Sequence, residues 1–430
     1  MEQDELKRKL FGLWEKTTHS SKEFLSLLFD YYFDRDLIIY KESDGKIVSA
    51  LCGVPYSFGY GKMKLNGLYL IPLSSEEGFR KKGILSEMIE EFNDNIRNSY
   101  DFTFLVPTTE LMADYYGTMG YLSSFYILEE RFTSLHDFKN DYLLSLSDSD
   151  ERIRNLKVGL MDEIKVTEFV YPDLDLKINL IDFIQEIEAK GNSATNLNHT
   201  SKDLDYLLQD DSLSQLMVYI AKDSDNKISG VAFVQKDDTS RLKVVATFTS
   251  DICSYYSLLD FIKKQWSGYS ISVITSENKY QVHSLVQQNY ASSNPLGGDL
   301  DNTFSTIEIP FNLNRLLQPL GMVKILRYEN IFRYIAETRS DAEFTLQIRD
   351  YTIMDKVKDN NSLTDKEIFI VKNGELKIDS IENFKNRNSI LNLSKKEISE
   401  LLLRKNDSSN LIMEAFSIPR LDLQIKLLPY

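Results

Sequence analysis

The chain has 430 residues, 42% of them apolar, so we expect two or three domains with hydrophobic cores of their own. Its formal net charge of −15 at pH 7 argues against general nucleic-acid binding, which needs a basic face. The same acidity either attracts cationic amines or only aids solubility.

The cysteines and the hydropathy of the chain further limit the class of protein. Cys52 and Cys253 lie far apart and the four histidines are scattered, which predicts neither a disulfide framework nor a metal site. There is no N-terminal apolar signal and no apolar run of membrane-spanning length. We therefore expect a soluble cytoplasmic protein that binds no nucleic acid, no membrane and no metal ion.

The first third of the chain predicts helices and strands in a clear order. Two amphipathic helices over residues 6–16 and 21–33 precede strands over 37–41, 46–53 and 62–71. The Asp44-Gly45 pair between the first two strands is a strong hairpin signal. Helix 84–96, strand 102–106, helix 111–119 and strand 121–130 follow. After the leading helices the order is therefore β-β-β-α-β-α-β.

A basic turn separates the third strand from the next helix. Pro72 to Met88 reads PLSSEEGFRKKGILSEM, so three cations, Arg80, Lys81 and Lys82, directly precede Gly83. The start of a helix offers free backbone N–H groups and the positive end of the helix dipole. With the cations added, this turn suits the binding of a pyrophosphate. The alternative is a solvated loop that only caps the helix.

An internal repeat follows a polar linker near residues 143–156. Residues 218–232 (VYIAKDSDNKISGVA) match the pattern of residues 37–50 (LIIYKESDGKIVSA), and strand 242–248, helix 255–264, strand 271–275 and helix 280–288 continue the same order. The corresponding turn, residues 247–257 (TFTSDICSYYS), has neither glycine nor a cation. We therefore expect a second unit of the same fold that lacks a phosphate-binding turn.

The last region has a different pattern. It predicts a strand over 344–349, a hairpin of 367–371 and 375–378, a short strand over 389–393, and a helix to residue 403. Ser394 and Glu397 have capping-box spacing at the start of that helix. An apolar segment at 413–416 leads to a tail that ends at Tyr430.

The basic turn resembles a known signature. RKKGIL, from Arg80 to Leu85, is similar to the R-R-x-G-L-L turn of the Eis-type GNAT acetyltransferases, whose general R-x-x-G-x-G/A motif binds acetyl-CoA. Leu85 departs from the general motif and fits the Eis-type subgroup. The gap from Pro72 to Arg80 is longer than is usual in the family, so we expect residues 73–78 to be an inserted loop.

A second segment strengthens the resemblance. Residues 107–121 (PTTELMADYYGTMGY) are similar to the family segment that carries Y-G-x-F-G-Y. The resemblance implies that Tyr116 protonates the CoA thiolate, as general acids do; the alternative is that Tyr115 and Tyr116 only pack the helix onto the sheet. The residues implied to bind the cofactor are Leu68, Tyr69, Leu70, Arg80, Lys81, Lys82, Gly83, Ile84, Leu85, Ser86, Thr109 and Glu110.

The C-terminal region resembles the sterol-carrier-protein-like domain of Eis-type enzymes. In that family the terminal carboxylate reaches the first domain's site, which implies that the carboxylate of Tyr430 assists proton transfer from the amine. The alternative is that Tyr430 only anchors the tail by packing.

Together these features predict an α+β (mixed α/β) fold: a catalytic GNAT domain over residues 1–140, a degenerate GNAT-like domain over 141–312, and a sterol-carrier-like domain over 313–430. The implied reaction is acetyl transfer from acetyl-CoA, as co-substrate, to a primary amine of a small molecule or peptide. Two alternatives stay open: a non-catalytic acyl-CoA or lipophilic-ligand binding protein, and an aminoacyltransferase that uses charged tRNA. The sequence also leaves homo-oligomerisation open.

Overall fold

The computed structural model describes residues 2–18, 22–60, 63–145, 159–171, 173–190, 195–208, 216–237, 240–276, 314–339, 341–349, 367–380, 390–403 and 423–424. Within these ranges the chain is a mixed α/β protein, as the sequence predicted. Helix 280–288, segment 413–416 and Tyr430 lie outside the described residues.

The helices, in chain order, are α1 (Gln3–Thr17), α2 (Lys22–Tyr32), α3 (Ile84–Ile96), α4 (Glu110–Thr118), α5 (Phe138–Ser145), α6 (Leu174–Ala189), α7 (Ser201–Leu207), α8 (Ile252–Gln265), α9 (Tyr328–Thr338) and α10 (Lys395–Leu403). The strands are β1 (Ile38–Ser43), β2 (Lys46–Tyr60), β3 (Met63–Ser75), β4 (Phe102–Leu105), β5 (Leu122–Phe132), β6 (Lys165–Glu168), β7 (Thr195–Asn198), β8 (Met217–Lys222), β9 (Ile228–Lys236), β10 (Arg241–Thr249), β11 (Ser270–Ser276), β12 (Asn314–Ile325), β13 (Phe344–Arg349), β14 (Glu367–Lys372), β15 (Glu375–Ser380), β16 (Leu391–Ser394) and β17 (Leu423–Gln424).

The chain divides into two compact units. The first comprises the described residues of Met1–Phe125, Asn192–Asn198 and Pro319–Gln424, and the second comprises those of Tyr126–Gly191 and His199–Gln318. The three-domain division over residues 1–140, 141–312 and 313–430 stays a prediction.

The main sheet of the first unit has the strand order β17-β7-β2-β3-β4-β12, with β1 also paired to β2. β1 and β2 form the predicted hairpin, in which Asp44 and Gly45 have the positive φ angles of 52° and 75° that a tight hairpin turn requires. β2 and β3 are antiparallel, whereas β3 and β4 are parallel and are connected by α3.

Helices cover both faces of this sheet. Ala50 and Cys52 of β2 pack against α1 and α2, whereas Leu51 packs with α3 and α4. This follows from the strand geometry, because successive side chains point to opposite faces. α3 buries Met88, Ile89, Phe92 and Ile96 along one side, at the spacing that predicted the helix.

The C-terminal part of the first unit forms its own four-stranded sheet, in the order β15-β14-β13-β16. The predicted capping box of α10 is confirmed: Ser394 N donates to Glu397 Oε2 at 2.8 Å, and Glu397 N donates to Ser394 Oγ at 3.3 Å. The buried Asp101 carboxylate, just before β4, accepts hydrogen bonds from Arg327 and Asn330 at the start of α9. These contacts join the C-terminal part to the turn between α3 and β4.

The second unit has a sheet with the order β5-β11-β10-β9-β8-β6. β8 and β9 form a hairpin, β10 pairs antiparallel with β9, and α8 connects β10 to a parallel β11. This is the order of β1, β2, β3, α3 and β4, so the repeat found in the sequence is a structural repeat.

Candidate functional site

Strands β3 and β4 part at one end of their pairing. The parallel register runs from Gly67↔Phe102 to Tyr69↔Phe104 and stops there. β3 nevertheless continues to Ser75, paired with β2 on its other edge. Among the described residues, the β4 side of β3 therefore has no strand partner from Leu70 onward, and its backbone groups are available to an extended ligand.

A bulge marks the point of divergence. Leu51 faces Leu73 and Gly53 faces Leu70, so two residues of β3, Ile71 and Pro72, lie opposite one residue of β2. An extra residue bends a strand and ends its regular pairing. The free edge thus begins at Leu70, the last of the three predicted strand residues, while Leu68 and Tyr69 are paired with Thr103 and Phe104.

The prediction of an inserted loop over residues 73–78 is wrong. Leu73, Ser74 and Ser75 belong to β3, and a short 3-10 helix covers Glu77–Phe79. The serines of this segment suggested an exposed loop, but the hydroxyl of Ser75 is satisfied inside the sheet. Its Oγ lies 2.7 Å from Ser49 Oγ, at hydrogen-bond distance. The extra length before Arg80 is strand, not loop.

The basic turn adopts an unusual backbone. Lys81 and Gly83 have positive φ angles of 60° and 79°, and Lys82 between them does not. Such alternation of backbone hand turns successive N–H groups toward one point, an arrangement that binds anions. A Cβ atom built on Gly83 meets no heavy atom within 4 Å, so the turn opens onto free space.

No side chain caps the N-terminus of α3. Gly83 occupies the N-cap position and has no side chain, while Glu87 N donates to the Gly83 carbonyl at 3.0 Å. No described residue accepts a hydrogen bond from the N–H groups of Ile84, Leu85 or Ser86. These donors and the positive end of the helix dipole point to the same place.

The cations of the turn have no acidic partner among the described residues. Arg80, Lys81 and Lys82 are exposed and none forms an ion pair with a described carboxylate, in a chain with 65 acidic residues. Arg80 Nε donates to the Ser75 carbonyl at 3.1 Å, which fixes the guanidinium beside the end of β3. Lys82 Nζ lies 5.0 Å from the Phe79 ring centroid. The cationic charge is therefore available to an anionic ligand.

Tyr116 lies on α4 and is 5% exposed. It belongs to the same buried cluster as Leu70 and Leu105, against which Ile84 and Leu85 pack. Its ring centroid lies 5.4 Å from that of Tyr115 and 6.1 Å from that of Tyr121. Burial, and to a smaller extent the neighbouring Tyr115 and Tyr121, raises the pKa of Tyr116 above its usual 10.0. Its hydroxyl therefore stays protonated at neutral pH and can donate a hydrogen bond.

The other predicted residues of α4 have different positions. Thr109 is the N-cap of α4, and its hydroxyl accepts from Met112 N at 3.3 Å. This contact gives Thr109 a structural role whether or not it also meets a cofactor. Glu110 is exposed in the first turn.

The structure thus brings together Leu70, the turn from Arg80 to Ser86, and Tyr116. It also shows a residue that sequence reasoning missed: Tyr115, whose hydroxyl lies 2.9 Å from Ser86 Oγ. Two adjacent tyrosines on a helix were the only signal for it, and they do not reveal which one contacts the turn.

Among the described residues no His, Cys, Asp or Glu cluster could hold a metal ion. Within those same ranges, every helix is too short or too polar to span a membrane.

Solved structures share this fold. A conserved protein of Enterococcus faecalis V583, described as a probable N-acyltransferase, matches with a TM-score of 0.64 at 12% identity, over 96% of this chain and 91% of that one. A GCN5-related N-acetyltransferase from Anabaena variabilis has a TM-score of 0.62 at 13% identity, over 98% and 97%. Eis1 from Mycobacterium abscessus has a TM-score of 0.61 at 9% identity, over 97% and 91%.

These likenesses establish that the chain has the fold of GNAT N-acetyltransferases. No protein-family model matches the sequence, and no curated protein does.

Proposed function

We propose that this protein is an N-acyltransferase that moves an acetyl group from acetyl-CoA to a primary amine of a small molecule or peptide. One observation carries the proposal: an open helix N-terminus with three cations that pair with no described carboxylate follows the strand whose edge has no described strand partner from Leu70 onward. Tyr116 shares a buried cluster with that strand and helix. The turn matches a pyrophosphate, the strand edge matches an extended pantetheine arm, and Tyr116 matches a leaving thiolate.

The residues present fit acetyl-CoA, which supplies an activated thioester when bound. Lys81, Lys82 and the backbone N–H groups from Gly83 to Ser86 would hold the pyrophosphate. The free edge of β3 would hydrogen-bond the pantetheine arm and donate to the thioester oxygen as negative charge develops there. We place this role at Leu70 and the residues after it, with Leu68 and Tyr69 supporting the strand.

Tyr116 would act on the leaving group. The amine nitrogen forms a bond to the thioester carbon, the C–S bond breaks, and Tyr116 donates its proton to the sulfur. The amine releases one proton, which restores the Tyr116 hydroxyl, so the protons balance. The pKa of Tyr116 is raised, whereas a thiol ordinarily has a pKa of about 8.5, so Tyr116 is the weaker acid. Its hydrogen bond to the sulfur would therefore stabilise the developing thiolate before the proton is fully transferred.

The test is Tyr116→Phe, assayed by release of free thiol from acetyl-CoA with a panel of amines. We expect kcat to fall about 10²–10⁴-fold while CoA binding measured by calorimetry persists. In the wild-type protein, the plot of kcat against pH should not fall below about pH 10 through ionisation of Tyr116, because the pKa of Tyr116 is raised.

Tyr100→Phe is the matched control, since it removes another phenol that packs against the same cluster. Unchanged turnover in Tyr116→Phe would refute the acid role. Binding of acetyl-CoA without thiol release for any amine would instead favour an acyl-CoA binding protein.

We further propose, on the family resemblance, that residues 313–430 form a sterol-carrier-like domain and that the Tyr430 carboxylate helps to deprotonate the amine. Deletion of Tyr430 should then lower kcat at least about tenfold, whereas Tyr430→Phe, which keeps the terminal carboxylate, should retain activity. Equal activity of both variants would remove the terminus from the mechanism.

A further inference from the structure

Tyr115 of α4 contacts the candidate pyrophosphate site through one side-chain pair. Its hydroxyl lies 2.9 Å from the Oγ atom of Ser86, the third residue of α3. Both side chains are partly buried, and they lie 29 positions apart in the chain. Ser86 is in the first turn of α3, where its own N–H lacks an acceptor among the described residues.

The direction of this hydrogen bond decides what Ser86 presents to a ligand. Two hydroxyls share a single proton in the bond, and the other proton remains free. If Ser86 donates to Tyr115, its remaining lone pairs face any anion at the helix start. If Tyr115 donates to Ser86, the serine proton is free to reach an anion and the bonded phenol polarises it.

A phenol is the more acidic of the two groups and therefore the better donor. The free N–H groups and the three cations at the turn also favour the orientation in which Ser86 offers a proton rather than lone pairs to the incoming charge. Both considerations select the same direction, from Tyr115 to Ser86 to the ligand.

We propose that Tyr115 is a positioning residue that holds the Ser86 hydroxyl as a hydrogen-bond donor to the diphosphate of the acyl-CoA. The proposal rests on the proposed function and adds a residue from α4 to the site formed by the turn. It differs from a structural role, in which the bond would only fasten α4 to α3, because only the positioning role depends on the diphosphate.

The experiment compares three ligands on the full-length protein by calorimetry: CoA, dephospho-CoA, which keeps the diphosphate and lacks the 3′-phosphate, and pantetheine, which lacks both. Tyr115→Phe should weaken CoA and dephospho-CoA by the same factor, about three- to tenfold, and leave pantetheine unchanged. Ser86→Ala should have the same pattern, and the double variant should be no weaker than Ser86→Ala alone.

Two further variants guard against a general loss of structure. Ser86→Thr keeps a hydroxyl at this position and should bind CoA like the wild type. Tyr100→Phe removes a phenol near the same cluster and should change none of the three affinities.

The other outcomes each overturn the proposal. An equal loss for pantetheine and CoA in Tyr115→Phe would mean that Tyr115 only maintains the fold. Additive losses in the double variant would mean that the two hydroxyls act separately. Absence of CoA binding to the folded wild-type protein would refute the proposed function itself. This outcome is distinct from failure of the Tyr115 proposal, because it is seen in the wild-type protein without any variant.

Discussion

The helix after the third strand of each repeated unit begins in a different way. In the first unit the N-cap of α3 is Gly83, which has no side chain and is preceded by three cations. In the second unit the N-cap of α8 is Asp251, whose carboxylate accepts from Ser254 N at 2.8 Å and from the hydroxyls of Ser250 and Ser254. The N-cap position has no side chain in the first unit, whereas the carboxylate of Asp251 occupies it in the second.

The strands before the two helices behave alike. β10 pairs with β11 only from Arg241↔Ser270 to Val244↔Val273, yet it continues with β9 to Thr249 after a shift between Val244 and Ala246. The same divergence and bulge occur in β3. The fold therefore supplies the parted strands in both units, and the two units differ in the residues of the turn.

The largest expected effect comes from giving the first unit the second unit's carboxylate. Gly83→Asp should weaken CoA binding about 10²–10³-fold, because a carboxylate about 4 Å from a phosphate charge costs roughly 3–4 kcal/mol at an effective dielectric constant of about 20–30, as near a protein surface.

Gly83→Asn is the matched control for that experiment. Asparagine has nearly the same shape and tolerates the positive φ of 79° as aspartate does, but it adds no charge. Calorimetry with CoA should therefore separate the two variants by at least about tenfold. Equal losses would show that the space at Gly83 matters and that its electrostatics does not.

A smaller effect should follow from Lys81→Gly. Glycine adopts the φ of 60° without strain, so the thermal unfolding midpoint should be unchanged or higher, while the loss of one exposed cation should weaken CoA binding about two- to fivefold. Ser240→Gly relieves a similar φ of 58° in the second unit and should leave CoA binding unchanged. CoA affinity that stays at the wild-type value in Lys81→Gly would exclude this lysine from the site.

Much of this comparison could be predicted from the sequence. The glycine and cations of one turn, and their absence from the other, are local features, and helical spacing placed α3 and α8 correctly. The sequence did not reveal that Ser74 and Ser75 extend β3, since their hydroxyl partners, Thr17 and Ser49, lie far away in the chain. Contacts across elements are not encoded in periodicity, and the Tyr115–Ser86 pair was missed for the same reason.

The smallest effect tests the second unit directly. Asp251→Ala removes the cap of α8 and should lower the free energy of unfolding by about 1 kcal/mol, measured by urea denaturation. It should not create a second CoA site, because the turn before α8 still has no cation or glycine and calorimetry should still give one site per chain. If Asp251→Ala did add a CoA site, the N–H groups of an uncapped helix beside parted strands would suffice for binding, and the cations of the first unit would contribute affinity without deciding where the ligand binds.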